Sequence, residues 1–261
     1  MEISRCKICN SETQPVFSAL VLHKYNVGYF RCTQCGFVQT EQPYWLEEAY
    51  QNPINISDTG IVLRNQRSAR IVTGLIILLF NRKEKFLDYA GGFGLFTRMM
   101  RDIGFDFYWN DPYTRNELAR GFEMEEGRKY CLATSFESLE HFENPVQEIE
   151  KILQLSDNVI FSTELIPDPI PAVADWWYYG TEHGQHIAFY TTKALHELAR
   201  HFGLSYYNLD NIHILTKKPV AGYRAVLLRI PYSKYLLYLG GICISLFMKS
   251  KTIDDMNKFK N

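Results

Sequence analysis

Two Cys-x-x-Cys pairs, Cys6-Lys7-Ile8-Cys9 and Cys32-Thr33-Gln34-Cys35, constrain this chain more than any other feature. Four thiols in two pairs, separated by a hairpin-length insert, are the ligand set of a tetrahedral zinc site, which would force the first residues to close on themselves. Two disulfides or free thiols are the alternatives. Each pair precedes a residue that tolerates a left-handed backbone, Asn10 and Gly36, as needed for a knuckle that curls its amides toward sulfur. The insert, with Pro15-Val16-Phe17 and Tyr29-Phe30-Arg31, predicts short extended segments around a turn at Asn26-Val27-Gly28. A closed four-ligand site is structural, so residues 1–42 are expected to form a zinc module presented to something else.

The remaining length is enough for one full-sized domain, since 46% of the 261 residues are apolar. A net charge of -1 argues against a nucleic-acid surface and points to small-molecule partners. Cys131 and Cys243 lie far from the cluster in apolar surroundings and no leader segment opens the sequence, so a cytoplasmic location is expected.

Residues 43–82 read as a helical connector: a first helix over Pro43–Tyr50, a break at Asn52-Pro53, then a long helix capped by Ser57-Asp58 and running to Phe80. From residue 83 to 231 short apolar strands alternate with amphipathic helices, which predicts an α/β fold with a parallel sheet. The first strand, Phe86–Ala90, runs into Gly91-Gly92-Phe93-Gly94 and a helix over Leu95–Ile103. The second, Phe105–Asn110, ends at Asp111-Pro112; Tyr130–Phe136 and Asn158–Thr163 supply later strands. Between Asp111 and Tyr130 only Gly121-Phe122-Glu123 offers a third strand, which is therefore very short or absent.

Asp88-x-Ala90-x-Gly92-x-Gly94 places flexible backbone at the carboxyl end of the first strand, where ligands of open α/β sheets bind. Asp111, at the end of the second strand, could accept both hydroxyls of a ribose, so the two together predict an adenosine-containing ligand. A nicotinamide dinucleotide is the competing occupant, but its usual G-x-G-x-x-G spacing differs.

On these residues, the segment from about 83 to 230 resembles the class I S-adenosylmethionine-dependent methyltransferases. Phe86 to Gly94 looks like their first motif, with Ala90 where the family usually has its first glycine. Phe136-Glu137-Ser138-Leu139-Glu140-His141, followed by Pro145, looks like their segment after the fourth strand. The resemblance implies a Rossmann-like sheet with helices on both faces, preceded here by a zinc-ribbon-like module. It also implies S-adenosylmethionine as cofactor, with Ala90, Gly92 and Gly94 around its methionine and ribose portions, and Phe136 and Glu137 beside the same cleft.

Asp175 to Thr191 concentrates aromatics, amides and imidazoles in an expected loop. Histidine can take a proton from a substrate near neutral pH and so make the nucleophile that attacks a sulfonium methyl group. The stretch resembles the sugar C-methyltransferases, which carry a zinc-binding module and a Tyr-x-Glu-His segment before aromatic-aromatic-Ser/Thr. Aligned on Phe189-Tyr190-Thr191, that segment falls on His183-Gly184-Gln185-His186, so the final histidine is kept while Tyr and Glu become His and Gln. His186 is the leading candidate base and His183 the second. The structural alternative is that both simply tie the loop down. Trp176 and Trp177 could stack on a sugar ring or pack, and His141 is expected to be a local contact. A nucleotide-linked sugar or glycan precursor is the expected acceptor, with carbon, oxygen and nitrogen all open as the methylated atom. A nicotinamide-dependent sugar-modifying enzyme and a non-catalytic partner protein are the rival readings.

Residues 232–261 form an apolar helix and tail. Tyr235 to Met248 is too short to span a bilayer and is expected to cover the core first, with a membrane surface or a subunit contact as the other roles.

Overall fold

The computed structural model describes residues 5–51, 54–56 and 58–260. It contains two sheets. The smaller begins with a hairpin, β1 (Thr13–Val21) and β2 (Tyr25–Cys32), followed by β3 (Val38–Thr40). The hairpin turn is at Leu22-His23-Lys24 and not at Asn26–Gly28. Leu22 and His23 both take positive φ, 52° and 54°, and the Lys24 amide bonds the Val21 carbonyl at 3.0 Å. The reason is register: pairing Cys32 with Thr13 sets Gly28 opposite Ser18 in mid-strand and leaves Val27 and Tyr29 buried.

The connector is shorter in helix than its sequence predicts. Only α1 (Leu46–Ala49) forms within Pro43–Tyr50, beside the buried Trp45. The long helix α2 spans Ile61–Leu79 with Gly60 at its cap position. Asp58 does not cap it; its carboxylate instead holds Arg64 at 2.8 Å. Ser57 and the Asn52-Pro53 break lie outside the described residues.

The larger sheet has six strands: β4 (Lys85–Tyr89), β5 (Asp106–Asn110), β6 (Leu132–Ser135), β7 (Asn158–Ser162), β9 (Ser205–Leu209) and β10 (Ile212–Thr216). Their order is β5-β4-β6-β7-β10-β9, parallel except where β10 runs against both neighbours. Helices α3 (Leu95–Ile103), α4 (Pro145–Leu155) and α5 (Thr192–His201) provide the crossovers. The expected third strand is a single parallel bridge from Glu123 to Trp109. Two buried clusters lie on the two faces of this sheet, one with Leu87, Ala133, Val159 and Leu195, the other with Phe86, Leu132, Ile160, Leu75 and Phe107. Each consecutive pair, such as Phe86 and Leu87, is split between them, as the two-residue period of a strand requires.

Between α4 and α5, the two-residue strand β8 (Ala188–Phe189) leaves the large domain and joins the small sheet beside β3, giving the order β1-β2-β3-β8. The small sheet therefore contains a piece of the loop that carries the candidate histidines. After β10 come α6 (Tyr223–Arg229), α7 (Ser233–Ser245) and α8 (Thr252–Lys258). α7 packs across α2 so closely that a Cβ on Gly241 would stand 1.8 Å from the Arg70 carbonyl.

Candidate active site and cysteine centre

The four cysteines meet. Cys6 Sγ lies 3.6 Å from Cys35 Sγ, and Cys9 Sγ lies 3.4 Å from Cys32 Sγ and 3.6 Å from Cys35 Sγ. A tetrahedron of sulfurs about 2.3 Å from a zinc ion has edges of roughly 3.8 Å, so the donors present fit that ion with little movement. The amides of Ile8, Gln34 and Cys35 point at sulfur at 3.4 Å. Both knuckles turn at the predicted residues, Asn10 at φ 58° and Gly36 at φ 73°.

At the carboxyl ends of β4, β5 and β6 the other predicted residues gather. Ala90, Gly92 and Gly94 all have positive φ, at 56°, 53° and 85°. A Cβ on Gly92 would meet nothing within 4 Å, whereas one on Gly94 would strike Asn116 at 2.7 Å. Gly92 thus faces open space and Gly94 is needed for packing. Asp111 Oδ2 accepts from the Gly92 amide, and its Oδ1 from the amides of Tyr113 and Thr114. Asp88 is buried under the turn, held by the Thr97 and Thr134 hydroxyls, and burial pushes its pKa up to about 7. Its place makes it a brace for the turn. Phe136 packs against Phe96 at 4.8 Å. Glu137, at φ 50°, accepts from the Ser162 hydroxyl and lies 3.5 Å from Arg64.

His186 sits next to this edge. Its Nδ1 donates to the Tyr178 carbonyl at 2.6 Å, which leaves Nε2 with a free lone pair in the neutral ring. Burial, then the neighbouring His141 and His183, hold its pKa well below the usual histidine value. The His141 and His183 rings stand 5.0 and 4.7 Å away. His183 is a brace for the loop: its Nδ1 accepts from the Gln185 amide at 3.1 Å and its ring covers Gly180. His141 is more than a local contact, because its Nδ1 bonds the Gln185 carbonyl at 3.1 Å and meets the Tyr50 hydroxyl at 2.9 Å.

Sequence reasoning missed Glu140. It is 1% exposed, neither carboxyl oxygen has a hydrogen-bond partner among the described residues, and its carboxyl lies within 4.8 Å of ring nitrogens of His141 and His186. Burial, reinforced by Glu137, raises its pKa to about 8, with its own backbone amide and then the nearby Tyr178 hydroxyl offsetting only part of the rise. The signal was in view, because Glu140 belongs to the same segment as Glu137. Tyr50 and Arg64 carried no such signal. Of the two tryptophans, Trp176 packs on Tyr179 and Phe189, while Trp177 is 74% exposed.

The cysteine module positions this loop. β3 pairs Val38 with Phe189 and Gln39 with Ala188; the Thr40 amide bonds the Ile187 carbonyl at 3.1 Å, and Thr191 Oγ1 donates to the Cys35 carbonyl at 2.6 Å. Trp45 Nε1 holds the Gly184 carbonyl and Gln185 Nε2 holds that of Ala49. On the other side, the Ile187 amide bonds the Glu140 carbonyl at 2.8 Å. The His186 loop is thus clamped between the module and the strand ends of the large domain.

A family model described as a methyltransferase domain matches residues 63–209, more than half of the chain. Similar solved structures include an O-methyltransferase family protein from Burkholderia thailandensis, at 17% identity and a TM-score of 0.46. That match covers 66% of each chain, just under two thirds of the neighbour's length. The plantazolicin methyltransferase BpumL in complex with SAH is 13% identical at a TM-score of 0.45, covering 77% of this chain and 88% of that one. The mitomycin 7-O-methyltransferase MmcR is 12% identical at a TM-score of 0.40, covering 66% and 59%. No curated protein matches the sequence.

Proposed function

This chain belongs to the methyltransferase-domain family and is an S-adenosylmethionine-dependent methyltransferase, and we propose that its acceptor is a nucleotide-linked sugar or glycan precursor deprotonated by His186. The observation that supports the reading most is the clamp just described, which seats a neutral imidazole beside the strand ends that carry the glycine turn. Ala90, Gly92 and Asp111 are assigned to the cofactor, with Asp88 and Gly94 shaping the turn and Phe136 and Glu137 forming the adjoining wall. The four-cysteine centre is assigned one structural zinc. The family leaves the nicotinamide reading without support.

When bound, S-adenosylmethionine supplies an electrophilic methyl group on a cationic sulfur. The chain's own residues hold the acceptor in line and move one proton. When the acceptor oxygen, nitrogen or carbon is methylated, its proton would pass to His186 Nε2. Glu140, which burial keeps largely protonated at neutral pH, lies within 4.8 Å of the His186 ring nitrogen and adds no competing negative charge there. Trp177 is assigned as a stacking platform for the sugar ring, since it lies edge-on at 5.3 Å to Tyr178, whose carbonyl holds His186. Residues 235–248 are assigned a contact outside the chain.

The test is methyl transfer to a panel of nucleotide sugars, with SAH binding measured in parallel. Turnover on one of them that is lost in Trp177→Ala and His186→Ala, with SAH affinity kept, supports the assignment. SAH binding with turnover only on acceptors lacking a sugar would overturn it.

A further inference from the structure

Helix α7 has two unlike faces. Ser233, Leu237 and Gly241, four residues apart, are buried on the side toward α2. On the opposite side Tyr235, Leu239 and Leu246 are 59%, 57% and 76% exposed, with Cys243 on the same stripe. The stripe ends at Phe247, 88% exposed. No helix among the described residues is long and apolar enough to cross a membrane.

The charge around this stripe is one-sided. From Asn211 to Ile253 the sequence has seven Lys or Arg and no Asp or Glu, in a chain whose net charge is -1. Phe247 is also a wall of a cavity of about 470 Å³, lined by Arg82, Lys83, Lys249 and Lys251 with Asp106 as its one acid. Asp106 is engaged by Arg101 at 2.8 Å and lies 3.9 Å from Lys251, and Lys249 reaches Asp254 at 3.1 Å. Arg82 and Lys83 make no ion pair among the described residues.

We propose that α7 and this groove dock the protein on an anionic phospholipid bilayer. The apolar stripe enters the boundary between headgroups and acyl chains, and the groove cations take lipid phosphates. An interfacial helix needs an apolar stripe without the length of a span, aromatic residues near the headgroups, and neighbouring cations. All three are present, and the groove's one acid, Asp106, is already engaged by Arg101, which leaves Arg82 and Lys83 for lipid phosphate. A second copy of this chain fits less well, because a two-fold contact through the stripe would bring identical basic clusters together. The groove opens at the amino ends of β4 and β5, beside Gly104 and Asp106, whereas the candidate active site is at the carboxyl ends. Docking therefore localises the enzyme without closing its cleft, and it stands whether or not the acceptor is a sugar.

The test is flotation of the full chain with vesicles containing roughly one third phosphatidylglycerol in phosphatidylcholine, against pure phosphatidylcholine. Binding is expected to the anionic vesicles only, weakened at least tenfold by about 0.5 M salt, by Leu239→Glu with Leu246→Glu, and by Arg82→Glu with Lys83→Glu. Retained SAH binding in both variants shows that they are folded and separates this result from the methyltransferase reading. No binding to anionic vesicles, equal binding to neutral ones, or a dimer in light scattering that Leu239→Glu dissociates would overturn the proposal.

Discussion

Asp111 accepts the Gly92 amide on Oδ2 at 2.9 Å, so the acid that ends the second strand of the large sheet is tied directly to the glycine turn that follows the first. Oδ1 takes the amides of Tyr113 and Thr114 at 2.8 Å each. A carboxylate offers about four acceptor positions, which leaves room for a ribose hydroxyl. Asp111→Ala removes that contact and unties the turn as well. SAH affinity, measured by calorimetry, should fall at least tenfold; unchanged affinity would take Asp111 out of the cofactor site.

His186→Ala should lower kcat by about 100-fold or more, the usual scale of a lost general base, while SAH affinity stays the same. His183→Ala should cost much less turnover and show its effect mainly in thermal stability, since its ring braces Gln185 and Gly180. Steady-state kinetics with calorimetry separates the two. Equal losses from both variants would mean that the loop fold, and not His186 Nε2, limits the rate.

Purified protein should contain one zinc per chain by metal analysis. Cys32→Ser should abolish it and also reduce turnover, because Cys35 and β3 hold the His186 loop through Thr191, Ala188 and Phe189. A zinc-free variant with full activity would show that the loop keeps its shape without the metal.

Glu140 makes a pH-dependent contribution. Its folded pKa, about 8, lies above the ordinary carboxyl value of 4.5, so the folded state holds the proton longer and stability falls as pH rises from 4.5 toward 8. The slope is at most ~1.4 kcal/mol per pH unit. Glu140→Gln should therefore gain stability relative to wild type across that window and differ little in slope above it. Urea unfolding at several pH values reads this directly; parallel curves would show that Glu140 ionises normally.

The tail is fastened by Arg101. Its Nε and Nη2 bond Asp255 at 2.8 and 2.7 Å, and Arg101 is only 3% exposed. Asp255→Ala leaves a buried guanidinium without its main partner, for which a cost of about 3–5 kcal/mol is typical; the remaining bonds from Nη1 to Asp106 and to the Phe107 carbonyl place the loss near the lower end. Denaturant unfolding should show it, and a loss under about 1 kcal/mol would mean that the tail is held by Phe259 against Phe122 instead.

Where local chemistry decides, the sequence was legible. Residues three apart on a knuckle must bring their sulfurs together, and a strand that ends in glycines before an amphipathic helix has few other solutions. Ala90 shows the limit: its backbone is left-handed like that of Gly92, yet a methyl side chain gave no hint of it. The hairpin turn at Leu22-His23 was hidden for the same reason, because neither residue is a usual choice for positive φ. The apolar composition of the tail predicts that it covers the core, and one face of α7 does so. Its outward stripe was not visible, because a helix that is apolar on every side carries no contrast until its neighbour is known.

The sequence alone determined the cysteine centre's composition, the α/β order and the residues of the glycine turn, because each depends on contacts within a few tens of residues. Only the tertiary structure decided that the cysteine module and the candidate active site are one assembly. β8 is two residues long, too short for any periodicity, and its partner β3 lies about 150 residues earlier. The same distance in sequence hid Glu140's isolation. A carboxyl group is ordinary on paper and becomes chemically poised only when packing removes water and brings two imidazoles within 4.8 Å of it.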